Sequence, residues 1–67
     1  MTLKNAIVMY RAKNRISMKE FAELCGVSMQ TIYNIESVGQ TPSRITRAKI
    51  KILLGDEYKI DDDEVEE

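Results

Sequence analysis

The stretch FAELCGVSMQTIYNIE, Phe21 to Glu36, places a single glycine between two apolar rhythms of helical spacing. Ala22 precedes Gly26 by one helical turn, and Ile32 and Ile35 follow it at a spacing that faces one side of a helix. Glycine adopts a positive φ without steric cost, so Gly26 predicts a sharp turn between two short helices. The small Ala22 lets the second helix cross the first closely, and the two isoleucines seal the pair. Gln30, Thr31, Tyr33 and Asn34 then occupy the sides that this core face leaves free.

Working outward, each neighbouring segment carries its own boundary signals. Ser17-Met-Lys-Glu20 has the pattern of a capping box and opens a helix ending near Cys25, with Met18, Phe21, Ala22 and Cys25 inward and Leu24 off the main apolar face. Ser28 caps the next helix, read as residues 28–36, with Val27 packing just before it. Upstream, Thr2 caps a first helix to about Lys13, whose inner face is Leu3, Ala6, Ile7 and Tyr10, and Asn14 supplies a left-handed stop. Downstream, Gly39, Thr41 and Pro42 mark a loop. Ser43 caps a fourth helix, about Arg44 to Leu54, on which Ile45, Ala48, Ile52 and Leu53 are expected to face the core before Gly55 ends it. Tyr58 and Ile60 are placed to fold back on the body. Residues 61–67, DDDEVEE, are too charged to bury apolar surface, which predicts disorder. The expectation is an all-α bundle of four to five helices over residues 1–60, followed by an acidic tail over 61–67.

A chain of 67 residues makes one domain, burying about 60% of the surface its unfolded form exposes. Neither a cleft between lobes nor a ligand-sensing domain is expected. One cysteine makes no internal disulfide and suits a reducing cytosol, with Cys25 read as buried and inert. No apolar run approaches the roughly 18 residues of a membrane span, and no signal-peptide pattern opens the chain, so a cytoplasmic protein without membrane contact is expected. The net charge of −1 conceals an asymmetry. Residues 1–55 hold nine basic and three acidic side chains, whereas residues 56–67 hold one basic and eight acidic ones. The positive field of the body suits a polyanion.

Two short helices joined by a tight glycine turn form the helix-turn-helix, whose second helix offers its outer face to the DNA major groove. The stretch ISMKEFAELCGVSMQTIYNIE resembles the lambda-repressor/Cro-like regulators, the XRE family. Phe21-Ala22, Gly26-Val27-Ser28, Ile32 and Ile35-Glu36 carry the resemblance, with Arg11 at the end of helix one and Pro42-Ser43 at the start of helix four. It covers roughly residues 3–55 and implies sequence-specific binding to double-stranded DNA, commonly as a homodimer. Three positions depart from the family pattern. Met18 stands where a phosphate-touching glutamine is usual, Gly39 lies one residue later than the usual glycine, and the normally basic loop is uncharged from Ser37 to Ser43.

The resemblance places Met29, Gln30, Tyr33 and Asn34 at groove-facing positions. Gln30 offers the donor and acceptor that adenine N6 and N7 demand, and Asn34 repeats that chemistry one turn on. Met29 suits a thymine methyl, and Tyr33 suits a methyl or a phosphate. Arg15, Lys19, Thr31, Ser43 and Arg44 are the phosphate candidates, with backbone N–H groups at the start of helix four. Arg11 and Glu36 match an ion pair that in relatives fixes helix three against helix one. The plain alternative for each polar residue is a solvated helix surface.

The leading expectation is a small repressor of the Cro type found in phages and mobile elements. An accessory or architectural factor in recombination or replication would use the same contacts, and a protein-interaction module that has lost DNA binding would use others, exposed Leu24 among them. The acidic tail keeps a basic body soluble, competes with DNA for it, or binds a protein partner. Enzymatic activity, a cofactor and a metal site are not expected. There is no histidine and no second cysteine, and Asp61, Asp62, Asp63 and Glu64 lack the spacing of a calcium loop. Helix four and residues 58–60 are the expected dimer surface, although no apolar stripe beyond the core calls for one.

Overall fold

The computed structural model describes residues 1–60, so the acidic tail read at 61–67 lies outside the described residues. Four α-helices follow one another: α1 Leu3–Asn14, α2 Met18–Cys25, α3 Met29–Tyr33 and α4 Arg44–Leu54. A π-helical turn, Asn34–Val38, extends α3, and a 3-10 turn, Gly55–Glu57, follows α4. Among the described residues there is no strand.

Each helix starts on a hydroxyl that satisfies a first-turn donor. Thr2 accepts from the N–H of Asn5, Ser17 from Glu20, Ser28 from Thr31 and Ser43 from Thr46. At Ser17 the box is complete, because Glu20 Oε1 accepts from the Ser17 N–H at 2.8 Å. Gly26 closes α2 with φ 79° and ψ 30°, and its N–H reaches the carbonyl of Ala22. Arg15, not Asn14, takes the left-handed conformation after α1. Asn14 instead stays helical and donates from Nδ2 to the Tyr10 carbonyl at 2.9 Å, which moves the stop one residue on.

The third helix is longer than its predicted span of 28–36. Gly39 closes it with φ 84°, donating to the Asn34 carbonyl across the wider π turn. A π turn holds one more residue than an α turn. The late glycine after Glu36 is thus absorbed within the helix, and Pro42 keeps its place.

One cluster forms the core: Leu3, Ala6 and Ile7 from α1, Phe21, Ala22 and Cys25 from α2, Ile32 and Ile35 from α3 and its extension, Ile50 and Leu54 from α4, and Tyr58. Tyr10 lies edge-on between Phe21, at 5.6 Å, and Tyr58, at 6.4 Å, which seats the C-terminal segment. Met1 donates from its ammonium to the Lys59 carbonyl at 2.8 Å and brings the two ends of residues 1–60 together. Each large side chain moved wholly out of water contributes about 1.5–3 kcal/mol, so few can be lost from a domain this small.

The face of α4 differs from the expected one. Arg47, Ile50 and Leu54 are buried, while Ile45, Ala48 and Ile52 face solvent and Leu53 is half-buried. The helix carries two apolar stripes, and the stripe that includes a charged residue is the one packed on α1 and α2. Arg47, 5% exposed, lies within the fold. The expectation that no apolar stripe remains beyond the core falls with this correction.

Candidate nucleic-acid interface

The groove-facing candidates follow from the register of α3. Ile32 and Ile35 face the core, which leaves Met29, Gln30 and Tyr33 exposed and Asn34 half-buried. Met29 and Tyr33, and likewise Gln30 and Asn34, are one turn apart and share the outer surface. Gln30 Nε2 donates to Asn34 Oδ1 at 2.9 Å. This exposed one-turn contact favours one arrangement of two flexible amides. It leaves Gln30 its carbonyl oxygen and one N–H, and leaves Asn34 its amide donors.

Beside this pair lies a hollow of about 190 Å³ between α3 and the start of α4. Thr31, Asn34, Gln40, Ser43 and Thr46 are among its lining residues. Two phosphate candidates, Thr31 and Ser43, therefore meet one base-reading candidate, Asn34, in a single polar notch. Their hydroxyls are partly engaged: Ser28 Oγ and Thr31 Oγ1 are 2.9 Å apart, and Ser43 Oγ donates to Thr46 Oγ1 at 3.1 Å. Arg44, exposed in the first turn of α4, stands next to the notch in sequence. Arg15 and Lys19 are exposed at the α1–α2 corner, on either side of Ser17, and do not line the notch. Met18 packs on the core. Gln40 and Thr46, which the sequence reading did not single out, also line the notch. Their signal was their position on either side of Pro42 and Ser43.

Behind the interface, Arg11 Nη1 lies 2.6 Å from Glu36 Oε1, and Arg11 Nε donates to the Ile16 carbonyl at 3.3 Å. The Glu36 side chain is 7% exposed and that of Arg11 24%. The second carboxylate oxygen, Oε2, is buried without a hydrogen-bond partner among the described residues. The contact ties α1 to the π turn that continues α3. An exposed pair, Lys13 Nζ to Glu57 Oε2 at 2.7 Å, ties the same C-terminal end of α1 to the 3-10 turn. The Lys13 ammonium is held above its ordinary pKa by that hydrogen bond and by the Glu57 charge.

Among the described residues no cluster of acids or cysteine has the arrangement of a metal site. No helix among them is long and apolar enough to cross a membrane. Residues 7–50, more than half of the chain, match the family model described as helix-turn-helix. No curated protein and no solved structure matches.

Proposed function

The chain belongs to the helix-turn-helix family of DNA-binding regulators, the XRE or Cro/lambda-repressor-like type, and on that premise we propose that it is a small sequence-specific repressor, of the kind found in phages and mobile elements, that acts in the cytoplasm as a homodimer on duplex DNA. The single observation that carries the sequence-specific part is the hydrogen-bonded Gln30–Asn34 amide pair on the outer face of α3. Backbone contact alone needs only positive charge. A fixed donor–acceptor array is what reading an adenine edge requires.

In this reading Met29, Gln30, Tyr33 and Asn34 enter the major groove. Thr31, Ser43 and Arg44 meet one phosphate beside the notch, where the N-terminus of α4 adds its dipole. Arg15 and Lys19 meet the backbone at the α1–α2 corner. The Arg11–Glu36 pair holds α3 at a fixed angle to α1, so that these contacts fall in register. Repression then needs no chemistry: a bound domain excludes polymerase from the site. The tail, residues 61–67, holds six acids and one valine, and it is a candidate site for a protein partner.

Selection of bound sequences from a random duplex pool tests the proposal. The expected result is one enriched motif with two-fold symmetry and half-sites about one helical turn apart. DNA bending with weak sequence preference would favour an architectural role instead. Absence of DNA binding even at low salt would end the DNA reading and leave a protein-interaction module.

A further inference from the structure

Asn34 is tied down at the point where α3 gives way to the π turn. Its carbonyl accepts from the N–H of Gly39 and from that of Gln40, the latter at 3.0 Å. Its half-buried side chain lines the polar notch. Gln30 is exposed, and its Nε2 donates to Asn34 Oδ1 at 2.9 Å. One of the two N–H groups of Gln30 is therefore spent on an anchored neighbour. The contact is a weak bias in itself, and its consequence lies in what remains. Gln30 keeps one N–H and its carbonyl Oε1 for a ligand. One donor beside one acceptor matches the N7 and N6 edge of adenine. Guanine offers two acceptors there and would leave Oε1 without a donor.

Resting on the proposed reading of duplex DNA, we infer that binding is regulated by the DNA itself: N6-methylation of the adenine that Gln30 reads releases the protein from its operator. Watson–Crick pairing takes one N6 hydrogen of adenine. Only the other faces the major groove, and in a paired N6-methyladenine the methyl group stands in its place. Oε1 then loses its donor and meets a methyl group instead. Turning the amide over gives no relief. It sets Nε2 against the methyl group and Oε1 against the N7 acceptor, and it breaks the bond to Asn34. Either way a polar atom is left unpaired in a contact closed to water, the case in which a missing hydrogen bond costs most. The rest of the face does not register the mark. Met29 and Tyr33 are exposed and suit a thymine methyl, while Arg15, Lys19, Arg44 and the notch are placed for phosphates. The ligand is thus duplex DNA with an unmodified adenine at one position of each half-site. Its regulator is an enzyme that transfers a methyl group to adenine N6 at that position.

The test uses the full chain and the sequence enriched from the random duplex pool. Synthetic duplexes carry N6-methyladenine at one adenine of the half-site at a time. One position is expected at which the methyl group lowers affinity by about 10- to 100-fold, the weight of one bidentate contact, while the others change it by less than about threefold. Gln30→Ala is expected to bind the methylated and unmethylated duplexes alike. Gln30→Met, which ends in an apolar group, is expected to bind the methylated duplex at least as well as the unmethylated one. Residue 30 is exposed, so both variants should keep the circular-dichroism melt of the wild type. A random duplex should be bound equally with and without the modification. Specific binding with no methyl-sensitive adenine, or a sensitivity that survives in Gln30→Ala, overturns this inference and leaves the proposed function standing. A pool that yields no enriched sequence removes both.

Discussion

Arg11 and Glu36, 25 positions apart in sequence, meet at 2.6 Å in a part-buried ion pair that joins the end of α1 to the π-helical extension of α3. The carboxylate is the more deeply buried partner, and its Oε2 atom makes no hydrogen bond among the described residues. Arg11→Ala would leave that charge uncompensated. The expected loss is about 1–3 kcal/mol, at the low side for a buried pair because Arg11 keeps some contact with water. In a domain this small each kcal/mol lowers the melting temperature by roughly 4–8 °C. The double variant Arg11→Met/Glu36→Leu should recover much of the loss. Equal melting of wild type and Arg11→Ala would show that the pair holds nothing in place.

The Gln30–Asn34 contact makes the two amides act as a unit. On a selected operator, Gln30→Ala should cost about 1–3 kcal/mol of discrimination and leave binding to random duplex nearly unchanged. Because Asn34 orients Gln30, the two alanine variants should not add, and a coupling of at least about 0.5 kcal/mol is expected from the double-mutant cycle. Strict additivity would mean that each amide reads DNA alone. Equal loss on operator and random DNA would mean that neither reads a base.

Arg15, Lys19 and Arg44 are all exposed. If each meets one phosphate, each alanine variant should reduce the slope of log affinity against log salt by about one. Lys49, on the far face of α4, should leave the slope as it is. Slopes that do not respond to Arg15, Lys19 or Arg44 would assign these charges to solubility.

Gly26 holds φ at 79°, with no heavy atom within 4 Å of where a Cβ would stand. Substitution there is therefore strained by the backbone and not by crowding. Gly26→Ala should destabilise by about 1–2 kcal/mol, and Gly26→Asn by less. An alanine variant as stable as the wild type in denaturant titration would remove the turn from the account.

Burial pushes the Cys25 thiol up from 9.0 to about 11. A raised pKa favours the protonated folded form. Its contribution to stability is therefore present below the unfolded value of 9.0 and is lost as pH rises toward the folded one. Cys25→Ala should show a shallower loss of stability across that alkaline window. At pH 8 a thiol reagent should label the native protein slowly and the denatured chain fast. Rapid native labelling would mean that the sulfur is open to solvent.

Local signals were legible in the chain wherever one residue type answers one local demand. Thr2, Ser17, Ser28 and Ser43 each present a hydroxyl to an unpaired N–H, and Gly26 supplies a dihedral that other residues resist. These residues set the helix starts and the central turn, and the turn with Ile32 and Ile35 sets which side of α3 is outward. The tertiary structure alone decided the rest. Apolar residues at 45, 48, 50, 52, 53 and 54 give α4 two competing stripes, and the buried one carries the charge of Arg47. The choice between them depends on how α4 meets α1 and α2, with Tyr58 seated on Tyr10, and no local pattern contains that information. The π turn and the Gln30–Asn34 contact belong to the same class. One comes from fitting an extra residue between two fixed points, and the other from side-chain positions that exist only once the helix has formed.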